Sequence, residues 1–218
     1  MHPLTLHIQS QLGTKGWAVF DSESPIETRR TLRNFGEVIA RERIAHLADP
    51  RTALVADETM RLHSGNPGIR SIGWHCVSAD PQGGAILLNP VWRALLELPA
   101  ETKDALRKLT IGVRFPADDD ANRCAVLRKL GAWGTIPVSE GVFFSPWLWR
   151  EGANEHLDAL VEKMKAIGNE RIQLKPGQVL LIDNARVLHG LENSPNWHRT
   201  LLLRHQLWGG GADLGDEW

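Results

Sequence analysis

The apolar residues of this chain come in short bursts, and that limits what it can fold into. The longest uninterrupted aliphatic run is Val179-Leu180-Leu181-Ile182, far short of the roughly 20 residues that cross a bilayer as a helix. A burst of that size bounded by turn residues reads as a buried strand over 178–182. Further strands are expected at 52–56, 69–77, 85–88, 110–115, 142–145, 172–174 and 200–207. Helices are few and well punctuated. The first opens at Ser24-Pro25-Ile26-Glu27, a capping box with proline at N1, and Gly36 ends it. A second stretch begins at Asn89-Pro90, runs through Leu95, pauses at Pro99 and resumes over 101–109. The clearest, 154–167, repeats Leu157, Leu160, Val161, Met164 and Ile167 along one stripe, and Gly168 stops it. Many short strands interrupted by a few helices predict a mainly β sandwich or barrel carrying helices on one side. Lys175-Pro176-Gly177 fits a type II turn, so the strands beginning at Ile172 and Gln178 are expected to pair as a hairpin.

With 218 residues at 24.3 kDa, one domain over 1–218 is expected, with an N-terminal helix and an insert around 116–168. A chain with 42% hydrophobic residues, 23% charged residues and a net charge of -1 is globular. It also lacks the basic excess that a nucleic-acid polymer would demand as a partner. Met1-His2-Pro3-Leu4 has no cationic start to a secretion signal, so a cytoplasmic protein without membrane association is expected. Cys76 and Cys124 lack metal-binding spacing and read as reduced core residues. Two segments read as loops over a site. One is 117–123, whose Asp118-Asp119-Asp120 run is a solvated turn, and the other is the Gly209-Gly210-Gly211 tail.

Two of the nine histidines stand out. In Leu181-Ile182-Asp183-Asn184-Ala185-Arg186-Val187-Leu188-His189-Gly190, a hydrophobic strand runs into polar residues and then a His before a Gly, which places an imidazole where backbone can approach a ligand. Arg199 follows at the start of an apolar strand; a His at a mouth and an Arg on the next strand suit a metal and an anion. His75 alternates with Trp74 on a core strand and reads as a hydrogen-bonded interior residue.

The segment from Leu174 through Asp183-Asn184 and His189-Gly190 to Arg199 resembles the taurine dioxygenase and clavaminate synthase group of iron(II), 2-oxoglutarate-dependent oxygenases. Upstream, Leu62-His63-Ser64-Gly65-Asn66-Pro67 resembles the group's first ligand motif. Ile72-Gly73-Trp74-His75-Cys76-Val77 with Gln82-Gly83-Gly84-Ala85 is similar to the strand and Gly-Gly turn that follow it. Phe35-Gly36-Glu37-Val38-Ile39 is similar to the exit of the group's N-terminal helix, whereas 116–140 matches nothing in it. The resemblance implies a double-stranded β-helix, a cupin-like jelly roll, binding Fe(II) and 2-oxoglutarate, with His63 and His189 as metal ligands and Arg199 as the cosubstrate anchor.

The family triad is two His and one carboxylate, the carboxylate two residues after the first His because i and i+2 on a strand point the same way. Here that position is Gly65. In radical halogenases of this superfamily the acidic ligand is likewise reduced to Gly or Ala and halide binds the metal instead. The resemblance then implies that hydrogen is abstracted from the substrate and that the carbon radical collects chlorine in place of hydroxyl. Chloride restores the charge of the missing carboxylate and fits the volume its side chain would fill. The alternatives are a hydroxylase or desaturase using a substitute ligand, for which Asn66, Asp57, Glu58 and Asp183 are at hand, and a catalytically silent metabolite-binding protein. The Thr that commonly follows the Gly-Gly turn and helps hold the cosubstrate is replaced at this point by Ala85-Ile86, leaving Arg199 to hold that anion by its own fork. Related enzymes bind the substrate's acidic group through a second Arg, usually four residues on. Arg204 is five on, an interval that flips the face unless a bulge intervenes. Arg204, with Asn66 and Trp208, is the expected contact for a small anionic substrate such as an amino acid or nucleotide. Trp147, Trp149 and Trp197 are further candidates for stacking on a planar substrate, and Trp218 for closing over the pocket.

Overall fold

The structure is a computed structural model that describes residues 2–44, 62–65, 68–79, 84–112, 123–131, 139–144, 154–192 and 201–208. In chain order its elements are α1 (Pro3–Lys15), β1 (Trp17–Asp21), α2 (Pro25–Leu32), a 3-10 turn (Arg33–Phe35), β2 (Glu37–Ile44), β3 (Ser71–Ser78), β4 (Ile86–Asn89), α3 (Val91–Glu97), α4 (Ala100–Lys108), β5 (Thr110–Gly112), β6 (Arg123–Ala125), β7 (Leu127–Leu130), β8 (Ser139–Val142), α5 (Glu155–Ile167), β9 (Glu170–Ile172), β10 (Gln178–Asp183), β11 (Leu188–Leu191) and β12 (Leu201–Trp208). A five-stranded sheet runs β1-β10-β3-β12-β2 and a three-stranded sheet runs β11-β4-β9, with β5-β6 and β7-β8 as separate pairs. All of these pairings are antiparallel.

The inner faces of the two large sheets meet in one core. Ile72, Trp74, Cys76, Leu180, Ile182 and Leu202 come from the larger sheet, and Ile86, Leu88 and Val187 lie against them. Alternation sends the intervening residues outward. Val179, Leu181 and Leu207 pack on Ile8, Leu12 and Leu32 of α1 and α2. Leu188 packs among Val91, Leu95, Leu106, Leu157 and Leu160 of α3, α4 and α5. Helices therefore cover both outer faces, where the sequence predicts them on one side. Two apolar sheet faces each need a cover, and the N-terminal helices α1 and α2 supply one while α3, α4 and α5, from the middle of the chain, supply the other. This is the double-stranded β-helix architecture. Among the described residues no helix is long and apolar enough to cross a membrane.

Helix α1 precedes the one the sequence places first. Its cap is His2, whose Nδ1 accepts the Leu4 N–H at 3.3 Å, and its end is Gly16 at φ 94°. Its buried residues are only Thr5, Ile8 and Leu12, a stripe too thin to stand out as a period. The capping box at Ser24 forms as expected, Ser24 Oγ accepting the Glu27 N–H at 3.2 Å and Glu27 Oε2 accepting the Glu23 N–H at 2.7 Å. The residues after Gly36 run on as strand β2, a long element that the sequence reading does not include. Glycine suits this position because φ is 148° and a Cβ there would lie 2.2 Å from the Trp208 carbonyl oxygen.

The expected hairpin is a correction. Its turn is present, with Gln178 N–H donating to Lys175 C=O at 2.9 Å and Gly177 at φ 83°. The strands it joins do not pair: β9 bonds to β4 in the smaller sheet, and β10 lies between β1 and β3 in the larger. Turn chemistry is local, whereas sheet membership is decided by burial on both faces of β10. The strand expected at 142–145 instead starts at Ser139 and pairs with β7. Both cysteines are free; Cys76 is buried, which pushes its thiol up to about 11, and Cys124 is only half-buried. The strand expected at 52–56, the Asp118-Asp119-Asp120 turn and the glycine tail lie outside the described residues.

Candidate metal centre

His63 and His189 meet through their backbones. His63 N–H donates to His189 C=O at 3.0 Å and His189 N–H to His63 C=O at 2.9 Å, forming an isolated antiparallel bridge at the edge of β11. Partners in antiparallel register share a face, and the two imidazole centroids lie 4.3 Å apart. His189 is also in register with Leu88 of the core, so it points between the sheets, where Trp74 meets it edge-on at 5.0 Å. It is 4% exposed, and neither ring nitrogen has a hydrogen-bond partner. Burial, then the neighbouring His63 and Arg204, hold its pKa well below the ordinary imidazole value, so the ring is neutral. A buried neutral imidazole with two orphaned nitrogens calls for a ligand. Two imidazoles side by side are a donor set that iron and its neighbours accept, so these residues fit such a metal.

Each residue from His63 to Gly65 is fastened. Ser64 N–H donates to Phe144 C=O at 2.8 Å, and Phe144 N–H returns a bond to Ser64 Oγ at 2.9 Å. Gly65 N–H donates to Asn184 Oδ1 at 2.6 Å, while Asn184 Nδ2 donates to Ile69 C=O at 2.8 Å. A Cβ on Gly65 would lie 2.8 Å from Ile72 Cδ1 and 3.0 Å from Asn184 Oδ1. The room beside Gly65 is thus narrower than a missing side chain alone suggests.

Asn184 is a residue the sequence reading passes over. The signal available was the Asp-Asn pair at the end of a buried strand, residue types that hydrogen-bond turn backbone. Its neighbour Asp183, one of the expected substitute ligands, is fully buried and committed elsewhere. One carboxylate oxygen lies 3.0 Å from Arg70 Nη2 and the other accepts the Ala185 N–H at 3.1 Å. Burial pushes this carboxyl up, and Arg70 and the Ala185 N–H pull it back. The other substitutes, Asn66, Asp57 and Glu58, lie outside the described residues. Among the described residues no group of three or more His, Cys, Asp or Glu converges as a metal site.

Arg204 is in register with Trp74 on one side and Glu42 on the other, which puts it on the core face. It is 23% exposed, its Nη2 pairs with the Glu42 carboxylate, and its Nε is buried without a partner. The register against β3 shifts between Leu201 and Leu202, inside the odd interval that follows Arg199. Trp208 closes β12 opposite Glu37 and is half-buried; alternation from Arg204 gives it the same face. His75 is hydrogen-bonded as expected, its Nδ1 2.6 Å from Thr28 Oγ1. Arg199, Trp147, Trp149, Trp197 and Trp218 lie outside the described residues.

The model of the taurine catabolism dioxygenase TauD, TfdA family matches residues 16–205. No curated protein sequence matches. Similar solved structures include AAD-2 in complex with Mn(II) and N-oxalylglycine, with TM-score 0.70 and 13% identity over 97% of this chain and 90% of that one. Asparagine oxygenase in complex with Fe(II), 2S,3S-3-hydroxyasparagine and succinate aligns with TM-score 0.67 and 16% identity over 94% and 79%. A putative alpha-ketoglutarate-dependent taurine dioxygenase from Burkholderia xenovorans aligns with TM-score 0.64 and 16% identity over 96% and 84%. At these identities the structures share the fold.

Proposed function

Since the chain belongs to the TauD, TfdA family of dioxygenases, we propose that it is an iron(II), 2-oxoglutarate-dependent halogenase acting on a C–H bond of a small, free anionic metabolite such as an amino acid or nucleotide. The observation that carries this reading is Gly65. It stands two residues after His63 in a segment that is otherwise intact and tied to His189, where the family places a carboxylate ligand.

His63 and His189 would hold the metal through one ring nitrogen each, from two backbones locked in register. Bound iron, with 2-oxoglutarate and chloride, would use dioxygen to supply an oxidant for the C–H bond and a chlorine for the resulting carbon radical. Trp74 and Leu88 keep His189 away from water, and its neutral ring needs to lose no proton before binding. Asn184 fixes the Gly65 N–H, so the backbone beside the metal cannot swing into the site. Arg199 would carry the far carboxylate of the cosubstrate. Arg204, oriented by Glu42, has its unpartnered Nε left to donate to an acidic group of the substrate.

Anaerobic loading with Fe(II), 2-oxoglutarate and chloride, followed by oxygen and a pool of amino acids and nucleotides, is expected to give a product with the chlorine isotope pattern. A hydroxylated product formed at the same rate with and without halide overturns the proposal. One observation favours that second outcome: Asn184 Oδ1 is a protein oxygen lying 3.0 Å from the position of a Gly65 Cβ. A hydroxylase that uses this amide as its third donor loses most of its iron affinity in Asn184→Ala whether or not chloride is present.

A further inference from the structure

The face of the larger sheet turned away from the metal centre carries a second set of charges. Gly73, His205 and Arg41 lie in one row across β3, β12 and β2. A Cβ on Gly73 would meet Leu32 of α2 at 3.1 Å, so this row faces α2, opposite to Arg204 and Trp74. His75, Leu203 and Arg43 form the next row. His75 is accounted for by Thr28, whose hydroxyl donates on to Ser22 Oγ at 2.8 Å. His205 is not: it is 3% exposed and neither ring nitrogen has a partner. Arg29, on the helix above, has a buried Nε that is likewise unpartnered. Arg33 follows Arg29 by one helical turn, its N–H donating to the Arg29 C=O, and Arg41 and then Arg33 are the charges that most lower the pKa of Arg29.

Several arginines elsewhere have carboxylate partners: Arg70, Arg107, Arg171 and Arg204 each pair with one. Among the described residues no carboxylate pairs with Arg29, Arg33 or Arg41. Glu27, on the same helix, gives its carboxylate to the Glu23 N–H and the Ser22 hydroxyl. Gathered like charges over an orphaned buried imidazole are unfavourable on both counts, and one bound anion relieves both.

We propose that Arg29, Arg33, Arg41 and His205 form a binding site for a doubly charged oxyanion of the phosphate class, on the opposite face of the sheet from the metal centre. Guanidinium forks match the oxygens of such an anion in pairs. In the free protein burial, and then Arg41, His75 and Arg29, hold the His205 ring down to about 4. An anion reverses the local field, and the ring takes up a proton and becomes a further donor.

The test is a titration of the full chain with inorganic phosphate, followed by NMR of the histidine ring nitrogens. Saturable binding is expected, with the His205 titration moving upward by about one pH unit or more. Arg41→Ala, an exposed position whose fold is checked by circular dichroism, is expected to weaken binding about tenfold, the loss of one charge-assisted contact. Arg29→Gln is expected to act in the same direction. Arg171→Ala, on the smaller sheet and paired with Glu192, is expected to leave the affinity unchanged, whereas binding lost in Arg204→Ala would put the anion in the substrate site. No saturable binding, or binding that survives Arg41→Ala and Arg29→Gln but falls in Arg204→Ala, overturns the proposal. Succinate binding here more tightly than phosphate overturns the assigned ligand class.

Discussion

Gly65→Ala tests whether the ground beside the candidate metal centre is as closely filled as the structure has it. The added methyl lies 2.8 Å from Ile72 Cδ1 and 3.0 Å from Asn184 Oδ1. Ile72 Cδ1 is the end of a flexible side chain and can rotate away. The Asn184 amide is held at both ends, by Gly65 N–H and Ile69 C=O. Overpacking of this kind costs about 1–3 kcal/mol. Gly65 is not among the glycines at positive φ, so alanine is unstrained there and recovers about 0.4–1 kcal/mol through the unfolded chain. The net expectation is a loss of about 0.5–2 kcal/mol. Ile72→Val alone removes the crowded methyl and costs about 0.5–1.5 kcal/mol. With both changes the new methyl occupies the space Cδ1 leaves, so the double variant is expected to be more stable than the sum of the singles by about 1 kcal/mol. Urea unfolding at constant m-value reads this directly. Additivity within about 0.5 kcal/mol refutes the packing argument. Gly65→Asp placed in the Ile72→Val background then carries the chemical question, since a restored carboxylate is expected to abolish chlorination and permit hydroxylation.

Gly13→Ala is the matched control: nothing lies within 4 Å of a Cβ at that helical position, so thermal unfolding is expected to show a gain of about 0.5–1 kcal/mol. Arg70→Met leaves the buried Asp183 carboxylate without its partner and is expected to cost about 3–5 kcal/mol at pH 8. Burial already pushes this carboxyl up, so it takes a proton more readily without Arg70. The deficit is therefore expected to shrink in urea titrations at pH 5, and a deficit independent of pH contradicts the ion-pair reading. His205 titrates at about 4 in the fold and near 6.5 when unfolded. The unfolded chain therefore binds its proton first as the pH falls. Its contribution is fully present above about pH 6.5 and is lost down to about pH 4, at up to about 1.4 kcal/mol per pH unit. His205→Gln is expected to flatten that slope in the absence of phosphate.

What was legible in the sequence is what is local. The capping box at Ser24, the stripe of α5 and the turn at Pro176-Gly177 each satisfy their bonds within a few residues, and each formed. The layer to which a strand belongs is not local, which is why the turn could be right and the hairpin wrong. Helix α1 and strands β1 and β2 were hidden for a related reason. Their burial comes from partners far along the chain, Val179 to Ile182 for β1 and Leu202 to Trp208 for β2. At the site, the pairing of His63 with His189 follows from motif spacing carried by a family resemblance. The partnership of Gly65 with Asn184 spans 119 residues and leaves no pattern within either segment. The unpaired arginine group is equally silent, because it arises only when β2 and β12 come into register beneath α2.

The same long-range bonds bear on how the missing carboxylate should be understood. A site that has simply decayed has no reason to keep its ligand segment rigid, since nothing then depends on its position. Here each residue from His63 to Gly65 is held by a different element: His63 by β11, Ser64 by the strand exit at Phe144, and Gly65 by the turn after β10. That turn is itself anchored by the buried Arg70–Asp183 pair and by Asp183 N–H donating to Gly16 C=O at 2.8 Å. Buried polar groups stabilise a fold only when every member is satisfied. The imidazole of His189, with both nitrogens unpaired, is a buried polar group left unsatisfied in a tightly bonded neighbourhood, and the proposed metal would satisfy it. A metal held by His63 and His189 beside a glycine would bring charge that the described residues do not neutralise at that position. On the proposed reading, anions from solution and from the cosubstrate do so, a change of ligand in place of a loss of function.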